Sequence, residues 1–422
     1  MRFETKCLHS GWVPKNGDPR MMPIVQSTTF DFESSQHVAD LFDLKVGGHF
    51  YTRLSNPTLD YVEQRINALE GGVGAMLTSA GQAASTIAIL NVAHAGDHVI
   101  CSSAIYGGTL NLFAVTLKKL GIDFTFLTPD ASDDDIRAAI RPNTKAVFGE
   151  TLANPALTIF DMERWSKIAH ENGLPVIVDN TFPTPFLCNP FKWGVDIVIH
   201  ATTKYLDGHA MATGGCIVDS GNFDWAASGR FPEFTEPDES YHGLIYTQAF
   251  GKAAYIVKAR AQLMRDLGAQ AAPMNAFLLG VGIETLPLRM ERHCANAQKV
   301  AEYLATHAKV DWVRYPGLPG DKCHKLAQKY MPKGCAGVVT FGVKGTRETA
   351  QKLMDSLKLV NIAVHVADAK TCVLHPASMT HRQLTDEQLV KAGISPTTVR
   401  LSVGIEHIDD ILEDLEQAFA TL

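Results

Sequence analysis

Residues 174–209 read LPVIVDNTFPTPFLCNPFKWGVDIVIHATTKYLDGH. Two short β-branched runs stand in this stretch, and each gives way to polar side chains: Asp179 after the first, Thr202, Thr203 and Lys204 after the second. Apolar residues on consecutive rather than alternate positions mark strands covered on both faces. The same kind of run recurs upstream as AMLTS, HVICSS, DFTFLT and KAVFGET and downstream as GGCIVD, with 3.6-period helices such as DYVEQRINAL and ERWSKIAHENG between the runs. This alternation predicts an α/β fold built on a mostly parallel, seven-stranded sheet.

Beyond the sheet, residues 222–245 are rich in Pro, Gly and aromatics and read as a long loop near a site. A helical stretch over 246–307 follows, then sparser runs (AGVVTFGV, a helix near 347–358, TVRLSVG) and a final helix, which together read as a smaller C-terminal α+β domain. The expected division is an arm over 1–60, a large domain over 61–265 and a small domain over 266–422, since 422 residues exceed what one core of ~250–300 residues holds.

Composition narrows the function classes. A hydrophobic content of 46% with 20% charged residues is that of a globular protein. The net charge of -7, with no basic run, offers nothing to nucleic acid or to an anionic membrane. The opening MRFETKCLHSGW lacks a signal-like apolar core and no apolar run reaches ~18 residues, so the chain is expected in the cytoplasm. The eight cysteines form no C-x-x-C pair and no zinc spacing, and read as reduced, mostly buried thiols.

In open α/β sheets ligands collect outside the carboxyl ends of the strands. That rule selects Gly81 and Gln82 in TSAGQAAS, Tyr106, Asn154, Asp179 and Lys204. The Gly81 turn opens a helix whose free N–H groups suit a phosphate, although many such glycines serve backbone geometry alone. Asp179 ends an apolar strand, where a carboxylate needs a cation or several donors; capping the next turn is its plainer reading. Lys204, drawn into this crevice, would lose its proton easily and become a nucleophile, whereas a lysine taken at random is solvated. No G-x-G-x-x-G and no G-x-x-x-x-G-K-[ST] is present. An anion turn, a strand-end Asp and a strand-end Lys, in that order on one sheet, together describe a pocket for pyridoxal phosphate.

The blocks YTRLSNPT, TSAGQAA, YGGT, ETLANP, VIVDNTF, HATTKYLDGH and VRLSVGIEH resemble, in order and over essentially the whole chain, the γ-type pyridoxal phosphate enzymes of cysteine and methionine metabolism. The resemblance implies fold-type I architecture, pyridoxal 5′-phosphate as cofactor, and a homotetramer of dimers that share active sites. It implies that Lys204 carries the cofactor and moves protons, that Asp179 meets the ring nitrogen, that Tyr106 stacks on the ring, and that Asn154 touches the ring hydroxyl. Gly81, Gln82 and Thr203 would surround the phosphate, Tyr51 and Arg53 would reach it from a neighbouring subunit, and Arg400 would hold the substrate carboxylate. Two departures stand out: Ala201 where the family usually has a hydroxyl, and His365 in a segment where relatives often carry Ser or Asn.

Within that family, SYHGLIYTQAFG and NAFLLGVGIETLPLRMERHCANA are most similar to the O-acetylhomoserine sulfhydrylases, which use sulfide or a thiol, and Gly108 stands where methionine γ-lyases typically carry Cys. A γ-lyase or cystathionine enzyme, and a pyridoxal phosphate-binding protein without turnover, are the alternatives. His209, His375 and His381 could be ligands, but their spacing makes poor metal geometry and they read as structural; no metal is expected. His242, in the aromatic loop, is a weaker candidate for the substrate side.

Overall fold

The computed structural model describes residues 1–379, 382, 387 and 395–422. All seven predicted runs form strands: β1 (Gly74–Thr78), β2 (His98–Ser102), β3 (Asp123–Leu127), β4 (Thr144–Glu150), β5 (Val176–Asp179), β6 (Ile197–His200) and β7 (Gly215–Asp219). They lie in one sheet in the order β1-β7-β6-β5-β4-β2-β3. Only β7 runs against its neighbours β1 and β6; the other pairs are parallel.

The unbroken apolar runs have their explanation in this sheet. Val176, Val178, Val198 and Val218 face one helical layer and belong to one core; Ile177, Ile197, Ile199 and Ile217 face the opposite layer and belong to a second. The central strands β5, β6 and β7 therefore bury both pleat faces, and their positions between the ends are apolar, whereas the edge strand β3 is only partly covered and carries Thr125 at its centre. The first residue free of this demand is the one at the carboxyl end, which is where Asp179 stands.

A second sheet has the order β10-β11-β12-β9-β8, from β8 (Val310–Arg314), β9 (Val338–Val343), β10 (Asn361–Ile362), β11 (Cys372–Leu374) and β12 (Thr398–Ser402). Between β7 and β8 the chain runs through the helices Pro273–Glu284 and Leu286–Thr306, the second of which packs on β8 and β9. The segment expected as a plain loop over 222–245 instead carries two single-turn helices, Trp225–Ser228 and Pro232–Thr235. Its aromatics drive this: Trp225 stacks on Phe234 and Tyr255 at 4.5 and 5.4 Å between ring centroids, and all three are buried.

The turn after β6 is fixed to both sheets. Arg289, from the second helix, is buried and donates to the carbonyls of Tyr205 (2.7 Å), Leu206 (3.4 Å) and Gly282 (2.7 Å). Gly208 makes that approach possible, having φ +72 and no side chain: a Cβ there would lie 1.9 Å from the guanidinium. The Tyr205 hydroxyl accepts the Gly337 N–H at 2.9 Å, and the Gly208 carbonyl accepts the Ala369 N–H at 2.9 Å. Replacing Arg289 with Leu strands the carbonyls of Tyr205 and Leu206, the Gly282 carbonyl keeping the Thr285 N–H, and is expected to cost about 2–4 kcal/mol; thermal unfolding of the cofactor-free protein measures it, and an unaltered Tm contradicts the assignment.

Candidate active site

The carboxyl ends of β4, β5 and β6 open into one crevice. Glu150 and Asp179 end neighbouring strands directly opposite one another. One oxygen of Asp179 accepts both the N–H (3.0 Å) and the hydroxyl of Thr181; its second oxygen has no hydrogen bond among the described residues. The Thr181 hydroxyl in turn accepts the Ala201 N–H at 2.8 Å, which ties Asp179 to the segment leading into Lys204. Burial raises the Asp179 carboxyl above its usual range. Glu150 is raised further, by burial first and then by Asp179 beside it, because two carboxylates in a dry site resist ionising together. Glu150 accepts the Tyr106 N–H at 2.6 Å and so fixes the residue above the crevice. It was not among the sequence candidates, yet it carries the same mark as Asp179, an acid ending an apolar strand.

Lys204 lies in the turn after β6, half-buried, with Nζ 3.5 Å from His365 Nδ1. Burial, and then the charge of Arg400, lower its pKa below the ordinary 10.5. Arg400 comes from the middle of β12, all of whose residues are buried. Two of its five N–H donors are used, by the Asn154 side-chain oxygen (3.2 Å) and the His365 carbonyl (2.8 Å), while its Nε is buried with no partner. The crevice thus holds an amine, a carboxyl and a guanidinium with donors to spare.

Gly81 and Gln82 open the helix Gly81–Leu90, whose N-cap Ala80 provides no side-chain bond. A Cβ at Gly81 would stand 2.6 Å from the Ala201 Cβ, so the two segments meet too closely for any side chain at 81. The residue departing from the family pattern at 201 is therefore a packing surface for this turn. The Thr203 hydroxyl donates to the Gly214 carbonyl (3.1 Å) and accepts its N–H (3.0 Å), so its single donor is already engaged. Tyr106 stands at the start of the Gly107–Asn111 helix, 48% exposed.

Tyr51 and Arg53 are not brought to this crevice. They line a separate cavity of about 420 Å³ with Phe32, Phe42, His242 and Arg265. The Arg53 guanidinium lies 5.1 Å from the Tyr51 ring centroid and has no carboxylate partner among the described residues. The aromatic segment expected near the substrate faces this second cavity, where the His242 side chain is 89% exposed. His375 is buried between Ser378 and the Pro396 carbonyl, and His209 bonds the Asp207 carbonyl; His381 lies outside the described residues. Among the described residues no cluster of His, Cys, Asp or Glu suits a metal, no helix is long and apolar enough to cross a membrane, and all eight cysteines are free and buried.

The sequence profile described as Cys/Met metabolism PLP-dependent enzyme matches residues 4–420. The chain belongs to that family. It is 48% identical, over 99% of its length and 97% of the relative's, to an O-acetyl-L-homoserine sulfhydrylase of Leptospira meyeri. It is 47% identical, over 99% and 97%, to a homocysteine synthase of Schizosaccharomyces pombe. A Campylobacter jejuni crystal structure, of a protein provisionally named O-acetylhomoserine (thiol)-lyase and carrying N′-pyridoxyl-lysine-5′-monophosphate, superposes with TM-score 0.95 at 39% identity, covering 100% of both chains.

The cofactor of this family is pyridoxal 5′-phosphate, and the crevice fits it. The uncapped helix end at Gly81 suits a phosphate, Asp179 keeps an oxygen free for a protonated ring nitrogen, and Lys204 offers a desolvated amine. The same desolvation has a stability cost. With a folded-state pKa below 10.5, Lys204 binds its proton less tightly folded than unfolded; the penalty is complete below the folded value and fades as pH rises towards 10.5. Lys204→Met is therefore expected to raise the Tm of the cofactor-free protein by a few degrees at neutral pH, with the gain shrinking in alkaline buffer, while abolishing borohydride-fixable cofactor. A lower Tm at every pH contradicts this.

Proposed function

We propose that the chain is an O-acetylhomoserine sulfhydrylase: sulfide replaces the acetoxy group of O-acetylhomoserine, giving homocysteine and acetate, and methanethiol gives methionine. The observation that carries this reading is the amine of Lys204 and the guanidinium of Arg400 in one crevice of a chain 48% identical throughout to a Leptospira protein of that name. Gly108 supports replacement over lyase chemistry, because a Cβ there would lie 2.5 Å from the Tyr106 ring and 2.6 Å from Gln82, leaving no room for a cysteine.

Bound in the crevice, pyridoxal phosphate supplies an electron sink that acidifies the substrate Cα–H and lets a γ-substituent leave. The chain's own groups do the rest. Arg400 holds the α-carboxylate through donors left unused, a bidentate grip that sets the amino acid's register. Lys204 Nζ, once displaced by the substrate amine, takes the Cα proton and carries it onward. Tyr106 covers the crevice, its main chain held by Glu150, and its hydroxyl protonates the departing acetate. Gly81 and Gln82 hold the phosphate, joined by Thr203 once its hydroxyl turns from the Gly214 carbonyl; Asp179 holds the ring nitrogen and Asn154 the ring hydroxyl.

Arg53, with an aromatic face and no carboxylate beside it among the described residues, acts on a neighbouring subunit's phosphate together with Tyr51, which makes the active unit a dimer with shared sites; the family resemblance extends this to a homotetramer of such dimers. The arm over 1–60 makes that contact; residues 61–265 form the cofactor domain and 266–422 the small one. We place the enzyme in the cytoplasm.

Purified enzyme given O-acetylhomoserine is expected to form homocysteine only when sulfide is present; ammonia and 2-oxobutanoate as main products would sink the transferase reading. Tyr106→Phe is expected to lower kcat roughly 100-fold, and unchanged turnover removes its proton-donor role. Lys204→Met and Arg53→Leu, each nearly inactive alone, are expected to regain activity when co-refolded, since a mixed dimer holds one intact shared site; no regain in verified mixed dimers contradicts sharing.

A further inference from the structure

The loop between β10 and β11 brings an imidazole to the crevice. His365 Nδ1 lies 3.5 Å from Lys204 Nζ, and its Nε2 stands 3.8 Å from Asp368 Oδ2, buried and without a hydrogen bond. The loop is held on both sides. The His365 carbonyl accepts from Arg400 Nη2 at 2.8 Å and from the Cys372 thiol at 3.4 Å. Ala367, at φ +71, donates its N–H to Ser402 Oγ (2.7 Å), and Ala369 donates its own to the Gly208 carbonyl. The titratable groups facing the ring are Lys204 and Asp207 from the turn after β6, Arg400 from β12, Cys372 from β11, and Asp368 from its own loop.

An amine that must pick up a proton from carbon has to be unprotonated first, and a lysine ammonium needs somewhere to put its proton. We propose that His365 is the proton-transfer partner of Lys204: Nδ1 accepts a proton from the Lys204 ammonium, and the imidazolium so formed, with its Nε2–H turned to the Asp368 carboxylate, returns that proton or releases it to solvent. The Nζ–H bond breaks as the Nδ1–H bond forms, charge is conserved, and nothing is oxidised or reduced. This requires the ring to start as the Nε2–H tautomer, which the Asp368 side favours. Burial and the Lys204 charge lower the His365 pKa, while Asp368 raises it, so the ring begins neutral near pH 7. The inference rests on the reading of Lys204 as the reaction's base, and adds the acceptor that keeps it one.

Two measurements decide it. In the cofactor-free protein, the His365 ring is titrated by long-range ¹H–¹⁵N NMR in the wild type and in Lys204→Met; with the neighbouring cation gone, its apparent pKa is expected to rise. In the loaded enzyme, His365→Asn keeps the carbonyl that Arg400 uses. It is expected to lower kcat at least about tenfold with little change in KM for O-acetylhomoserine, and added imidazole is expected to restore part of the rate. Asp368→Asn, which removes the larger of the two carboxylate charges that raise the ring's pKa and leaves Asp207 in place, is expected to move the acid limb of the kcat profile to lower pH. An identical His365 titration with and without the lysine overturns the proposal, as does His365→Asn with unchanged kcat and pH profile. Wild-type enzyme making no homocysteine from sulfide overturns the functional reading instead, and leaves the cofactor-free titration intact as a separate test.

Discussion

Everything in the crevice depends on a buried guanidinium beneath it. Arg289 gathers the carbonyls of Tyr205, Leu206 and Gly282, so the turn bearing Lys204 is anchored from below by charge-assisted hydrogen bonds inside the fold. A turn held only by its own backbone would let the amine wander by more than reaction geometry tolerates. Burial lowers the Arg289 pKa to about 10, which measures how unwelcome the charge is there and how much those carbonyls must return. Gly208 and Gly282 are the local price of that anchor, as a Cβ at either would strike the guanidinium or the Asp207 carbonyl.

The site is a collection of polar groups held out of water. Lys204, Arg400, Asp179 and Glu150 each have pKa values moved towards their neutral forms, with burial as the leading cause. Such a set is uncomfortable on its own and becomes satisfied when a charged ring, a phosphate and a carboxylate enter. The fold tolerates it because the two cores on either side of the sheet are complete without the strand ends.

The central strands were legible because they bury both faces, which writes an unbroken apolar run into the sequence. Asp179 and Lys204 were legible because they interrupt such runs at the end where ligands gather. What one dimension hid was long-range: Arg400 meets Asn154 across 246 positions, and Lys204 meets His365 across 161. Glu150 was hidden differently, since its sequence mark was present but its partner Tyr106 lies on another strand's loop. The aromatic segment over 222–245 misled, because Pro and Gly suggested an open loop whereas Trp225 and Phe234 pull it into a packed layer. Tyr51 and Arg53 lie apart from Lys204 within one chain, lining a separate cavity.

The bonds from Tyr205 to Gly337 and from Gly208 to Ala369 tie the lysine's turn to the sheet that carries Arg400. Amine and guanidinium therefore ride on one body, and a hinge movement elsewhere cannot change their separation. The pair is a caliper of fixed span, which on the proposed reading of Arg400 is set for the amino-acid head common to every member of a homologous series. On the proposed reading, discrimination among tails of different length then falls to the other wall of the crevice, around Tyr106, which touches neither arm's anchoring bonds and can be remodelled without resetting the caliper.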